Sequence, residues 1–211
     1  ASYNTALGYA AGSAVTTGIN NTLIGGLAGD ALTTQNANTA VGQQALSSET
    51  NNNGNTAVGA EALKDQNAGG NGDARNTAVG LLAGASLTTG IQHSLIGALA
   101  GDAIVTNGGD NVAVGYEALS GETQCSRSTA IGRGALKVQN VGSNSNSYNT
   151  AVGANAGVLL QNGTQNTFIG GLNGQNVTTG SNNCLVGYSV ETPAADTAQV
   201  IGLGMSITTQ A

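Results

Sequence analysis

A five-residue phrase, Asn-Thr-Ala-Val-Gly or a close variant, occurs eleven times, beginning at Asn4, Asn21, Asn38, Asn55, Asn76, His93, Asn111, Ser128, Asn149, Asn166 and Asn183. Successive copies are 17 residues apart, with one spacing of 18 and two of 21. So short a period fits one coil of a β-solenoid, in which a few short strands and corners complete each turn. Helical repeats need roughly 33 residues or more. The expected fold is all-β, a parallel β-solenoid of the β-helix or β-roll kind with about twelve short coils. Residues 1–190 form the repeat solenoid. Residues 191–211, with Pro193 and a weak Gln199-Val200-Ile201-Gly202 phrase, form a degenerate terminal coil or boundary segment.

Each column of the repeat has its own physical role. The fifth is Gly in every copy (Gly8, Gly25, Gly42, Gly59, Gly80 and onward), as a corner with positive φ or close backbone approach requires. The first is Asn in nine of eleven copies (Asn4, Asn21, Asn38, Asn55, Asn76 among them), which predicts a polar ladder satisfying backbone groups coil upon coil. Ala stands three residues after the Gly in nine copies, so the interior is narrow. The fourth column is β-branched in ten copies, the preference of a buried strand position, yet the third is apolar as well. Neighbouring residues of a strand point to opposite faces, so one of these columns fills the coil and the other is covered from outside. Neighbouring chains are the expected cover, most simply in a closed homotrimer.

A second period overlies the first. The residue after the Ala column runs Gly12, Gly29, Leu46, Leu63, then Gly84, Gly101, Leu119, Leu136, then Gly157 and Gly174. Four coils thus make a super-repeat of 72 or 73 residues, and close matches such as those starting at Leu23 and Leu95 point to tandem duplication.

Composition narrows the function classes. One Phe, no Trp and five Tyr rule against an aromatic globular core. The net charge of −6 comes without a Lys/Arg cluster to track phosphates, and no apolar run approaches the ~20 residues of a bilayer-spanning helix. Neither nucleic acid nor membrane insertion is expected, and no cofactor or metal. Cys125 and Cys184 fall at different places in their repeats and read as free thiols.

The phrase Asn-Thr-Ala-Val-Gly-x-x-Ala-Leu, followed by Thr-Thr-Gly as at Thr88-Thr89-Gly90, resembles repeats in tail fibres and tail spikes of bacteriophages and some large algal viruses, over nearly the whole chain. Ser128-Thr129-Ala130-Ile131-Gly132 is also similar to the repeat in the heads of trimeric autotransporter adhesins. The resemblance implies a mature, homotrimeric fibre segment on a virion, or alternatively on a bacterial surface, that attaches to a host receptor, a glycan being the expected partner. In the viral family such repeats often precede a self-cleaving chaperone domain.

Candidate binding residues lie in the two 21-residue spacings, at 64–75 and 137–148, which occupy equivalent places in successive super-repeats and are expected to protrude from one side about 19 Å apart. They offer Asn67, Asn71, Asp73, Arg75, Asn144, Asn146 and Tyr148 for hydrogen bonding to and stacking on sugar. Tyr9, Tyr116 and Tyr188 follow corner glycines and either cover the corner or line an aromatic edge. Asp30 and Asp102 are equivalents too far apart to share an ion, and His93 reads as a substitute in the Asn ladder. The expectation is no catalytic residue and no enzyme. The alternatives are a polysaccharide depolymerase, for which Glu61 with Asp65 and Glu117 with Glu122 are the acids to weigh, and an ice-binding solenoid using the recurrent Thr-Thr pairs.

Overall fold

The computed structural model describes residues 2–67, 69, 72–105, 109–124, 126–142 and 146–209. The strands are β1 (Thr5–Leu7), β2 (Thr22–Ile24), β3 (Thr39–Val41), β4 (Thr56–Val58), β5 (Thr77–Val79), β6 (Ser94–Ile96), β7 (Val112–Val114), β8 (Thr129–Ile131), β9 (Thr150–Val152), β10 (Thr167–Ile169), β11 (Cys184–Tyr188) and β12 (Ile201–Met205). They form one parallel sheet in chain order, each motif aligned with the same motif of the next coil. The expected parallel β-solenoid is therefore the fold, and β12 carries its sheet into the terminal segment.

The corners are left-handed. The corner Gly has φ between +113 and +156, and a methyl group on Gly25, Gly59 or Gly97 would lie 2.3–2.5 Å from the carbonyl oxygen of the equivalent Gly one coil further on. Two residues later stand Leu27, Gln44, Glu61, Leu82, Leu99 and Glu117, all with φ between +54 and +59. The residue before each motif is left-handed as well, including Arg75 (+53), Arg127 (+63) and Tyr148 (+49). Such backbone is costly for bulky side chains. Hydrogen bonds between coils hold it: Leu27 and Glu61 donate their N–H groups to the carbonyls of Tyr9 and Gln43 in the preceding coil, at 2.8 Å each.

The Asn ladder runs through the interior wall. Asn21 Oδ1 accepts the Asn38 N–H at 3.0 Å, Asn38 Oδ1 accepts that of Asn55 at 2.9 Å, and Asn76 Oδ1 that of His93 at 2.9 Å. The same side chains donate Nδ2 across their own coil, as Asn21 does to the Gln35 carbonyl at 2.8 Å and Asn76 to Gly90 at 2.8 Å. A single amide thereby fixes both coil spacing and coil closure. His93 is 1 % exposed, in the ladder as expected.

The third column, not the β-branched fourth, fills the coil. From Leu23 to Leu185 the third-column side chains are at most 1 % exposed, whereas Val79, Ile96, Ile131 and Ile169 of the fourth are 36–43 % exposed. Small size decides: the Ala column occupies the opposite wall, and at 0 % exposure Ala40, Ala57 and Ala113 leave space for little more.

Packing accounts for the four-coil period. Where two successive coils carry Gly in the column after Ala, the second has a large third-column residue that fills the space: methyl groups on Gly12 and Gly29 would lie 2.5 and 2.7 Å from Leu23, on Gly84 and Gly101 2.7 and 2.8 Å from Leu95, and on Gly157 and Gly174 2.6 and 2.7 Å from Phe168. Where that column is Leu, the third column is Ala, as with Leu46 and Ala40 or Leu119 and Ala113. Exchange of large and small residues at constant volume keeps the core close-packed. In the same Leu coils a polar residue enters the interior: Glu49, Gln66, Glu122 and Gln139 are all 0 % exposed.

Glu49 accepts the N–H groups of Asn51 and Asn52 at 2.7 and 2.8 Å, and Glu122 those of Thr123 and Gln124 at 2.9 Å each. Gln139 Nε2 reaches Glu122 Oε2 at 3.1 Å and the Ser128 hydroxyl at 2.8 Å. Burial pushes the Glu49 carboxyl above its ordinary 4.5, against the hydrogen bonds that pull it down.

Gly97→Ala should destabilise the fold by about 4 kcal/mol or more, because it adds a methyl group at positive φ against a backbone carbonyl, while Gly26→Ala, with nothing within 4 Å, should change thermal stability by less than about 0.5 kcal/mol. With its folded pKa raised, the stability associated with Glu49 is complete below the unfolded value and is lost as pH rises through the folded one. Glu49→Gln retains an oxygen to accept the turn N–H groups, as Gln35 does from Thr33 and Thr34. Denaturant titrations should show Glu49→Gln more stable than the parent at pH 7, with the difference vanishing below about pH 4; a constant difference would contradict the burial-driven shift.

Candidate functional site: the loop edge and the outer sheet face

The two long spacings leave the stack at equivalent places, between β4 and β5 and between β8 and β9. Each is pinned again just before its strand: Asp73 bridges to Asn53 and Asn146 to Ser126 in parallel fashion, and the equivalents Ala74 and Ser147 are fully buried. The loops therefore emerge on the same edge, four strand spacings or about 19 Å apart. Asn71 and Asn144, and Cys125 beyond the loops, lie outside the described residues.

The other expected binding residues divide by what they touch. Asn67 is part of the stack, its Oδ1 accepting the Thr50 hydroxyl at 3.0 Å and also the Asn51 amide. Exposed Asp73 accepts from Arg75 at 2.8 Å and from Asn53 at 3.3 Å. Asn146 is exposed, and Tyr148 is 49 % exposed.

Arg75 and Tyr148 share one column, the left-handed residue before the motif, and between them stand Gln92, Asp110 and Arg127. Arg127 contacts Asp110 at 3.7 Å, donates to the Tyr148 hydroxyl at 2.8 Å and lies 5.7 Å from the centre of the Tyr148 ring. The sequence reading missed Arg127 and Asp110, although their place immediately before the motif marks them. The result is an exposed polar edge with a guanidinium on one face of an aromatic ring. Planar and hydroxyl donors of this kind suit sugar hydroxyls and carboxylates.

Elsewhere the expected residues are dispersed. Tyr9, Tyr116 and Tyr188 are 83, 47 and 50 % exposed and lie six and four coils apart; a methyl group on Gly171 would touch the Tyr188 ring at 3.7 Å, so this ring covers its neighbouring coil. Asp30 and Asp102 each have a buried Oδ1 without a hydrogen-bond partner, and burial, followed by the Glu117 charge, raises the Asp102 pKa. Among the described residues no group of three or more His, Cys, Asp or Glu side chains is placed to hold a metal ion.

Of the acids weighed for catalysis, two are ion-paired to lysine and one is buried. Glu61 is bound to Lys64 at 3.0 Å, and Glu117 to Lys137 at 2.7 Å, which lowers the Glu117 pKa. Glu122 stands inside the coil.

The outer face of the sheet is the second candidate surface. Its second column is Thr, Ser or Val from Thr5 to Thr167, then the half-exposed free thiol Cys184; its fourth column is the Val/Ile file. The Thr-Thr pairs are elsewhere, and two of their hydroxyls, of Thr16 and Thr88, are engaged by backbone carbonyls of the next coil.

Comparison of the chain with protein-family profiles, with curated proteins and with solved structures returns no match.

Proposed function

We propose that the chain is a non-catalytic segment of a homotrimeric fibre, a tail fibre or spike of a virion, that displays a surface for a host receptor, most simply a glycan. The observation that carries this reading is the Val/Ile file, left partly exposed along the outer face of a long, regular stack. A solenoid buries its core in each coil without needing such a file, so an apolar strip of this length serves association. The resemblance of the Asn-Thr-Ala-Val-Gly phrase to viral fibre repeats supports the location, and the stack makes a stiff spacer of about 53 Å from eleven strand spacings of ~4.8 Å. The polar edge from Arg75 to Tyr148 is the receptor surface in this reading.

One observation favours a second reading, an ice-binding solenoid: the Thr file beside the Val/Ile file forms a regular, uncharged face, a better candidate for ordering water than the Thr-Thr pairs. Assembly through that face and ice binding by it exclude one another.

Binding of the purified fragment to glycan arrays and host cells tests the first reading. Arg75→Ala combined with Tyr148→Ala should weaken binding at least tenfold, about 1.4 kcal/mol, without changing the melting temperature. Unchanged binding by the double variant would remove the edge from the receptor surface, and thermal hysteresis by a monomeric fragment would favour ice.

A further inference from the structure

We infer that the outer face of the sheet is where copies of this chain pack on one another, about an axis along the rod, with the fourth-column file at the centre of the contact. This rests on the fibre reading above and identifies the surface and residues that assemble it. Three independent features of the face point to a second copy rather than to solvent or an unrelated partner.

The first is charge. The chain has five Lys and Arg and eleven Asp and Glu residues, and none stands at an outward position of any strand. Charged side chains are depleted at the cores of interfaces, and here a whole face has been kept free of them over twelve strands.

The second is area. Eleven spacings of ~4.8 Å by a width of about 15 Å, the strand and the residue past its corner, give roughly 800 Å², the share one partner contributes to a standard interface.

The third is shape. The file is made of compact branched residues, Val79, Ile96, Val114, Ile131, Val152 and Ile169, repeated at the strand spacing with no large side chain among them. Such a face permits the ~10 Å approach of packed sheets. Its two flanks differ, one carrying Thr hydroxyls and the other, past the corner, setting Leu81, Tyr116 and Tyr188 at 47–53 % exposure among small residues, Gln43 and Arg133. Rotation about an axis along the rod sets the first flank of one chain against the second flank of the next. Leu81, Tyr116 and Tyr188 of one copy then lie over its neighbour's file at intervals, and equal coil spacings keep the match in register along the rod. A partner of different sequence would have to reproduce that spacing.

The test is the native mass by light scattering of the parent, of Ile131→Lys on the file, and of Leu159→Lys, an apolar residue off the sheet that is 48 % exposed against 38 % for Ile131. The parent and Leu159→Lys should run at three times the 20.5 kDa chain mass, and Ile131→Lys should fall to one chain with its circular dichroism intact. A parent assembly that Ile131→Lys leaves whole would overturn this inference and leave the fibre reading standing; a monomeric parent would overturn both. Should Ile131→Lys fail to fold, the milder Val114→Cys replaces it. Mass spectrometry should then find the introduced thiol protected from a bulky maleimide in the assembly and labelled after dissociation, and prompt labelling of the assembly would count against the face.

Discussion

Everything in this molecule depends on how closely one coil lies on the next at the corner glycine. With φ near +135 and the following coil's carbonyl occupying the place of a Cβ, the corner admits no side chain, and this contact recurs from Gly8 to Gly187. It fixes the period: residues are added only away from the corner, in the stretches preceding Asn76, Asn111 and Asn149. It also sets the thin interior, in which Ala lines one wall and the Asn ladder another. A core so narrow cannot relax around a misplaced methyl group, so Gly and Leu follow one another in pairs of coils, each Gly pair enclosing a large third-column residue. The four-coil block is the smallest unit in which that exchange closes on itself.

The same constraint governs the outer surface. Since every strand presents the second and fourth residues of its motif outward, any property at those positions is repeated along the whole rod. The two outward files are uncharged, one hydroxylated and one β-branched, whereas the ion pairs Lys64–Glu61, Arg75–Asp73, Arg127–Asp110 and Lys137–Glu117 all lie off the strands. The molecule thus separates an edge suited to polar recognition from a face suited to association. In the fibre reading proposed above, the face would join copies of the chain and the edge would meet another molecule.

Much of this was legible in the sequence because it repeats. Eleven aligned copies expose the corner glycine, the Asn ladder, His93 as its substitute and the narrow Ala wall without reference to coordinates. Which of two adjacent apolar columns faces inward was not legible from strand preference, since β-branched residues suit either face of a sheet; in the structure the third column, Ala in most coils and Leu or Phe where the neighbouring column is Gly, faces inward. The super-repeat was visible, but its cause required knowing that Gly84 and Leu95 touch across neighbouring coils. The burial of Glu49 and Glu122 was not legible because an acid in a polar stretch reads as solvated, and it is the accompanying Leu46 and Leu119 that mark their coils as ones that turn a polar residue inward. Of the candidate loop residues, Asn67 proved to be tied into the stack, and Arg127 was missed because it acts on Tyr148 from a coil that carries no insertion.

If each coil depends only on its neighbours and the four-coil block is the packing unit, removal of one whole block should leave both junction surfaces matched. Excision of residues 76–148 joins Arg75 to Asn149, so that Ala151 and Gly157 take the places of Ala78 and Gly84 above Leu63. Circular dichroism and thermal unfolding of the shortened chain should show the same β-sheet signal per residue and a single cooperative transition. A chain that fails to fold after this excision, while one shortened by the single coil 76–92 folds normally, would contradict the account, because the second deletion sets Leu63 in the place of Gly84 against Leu95 and the first leaves every junction matched.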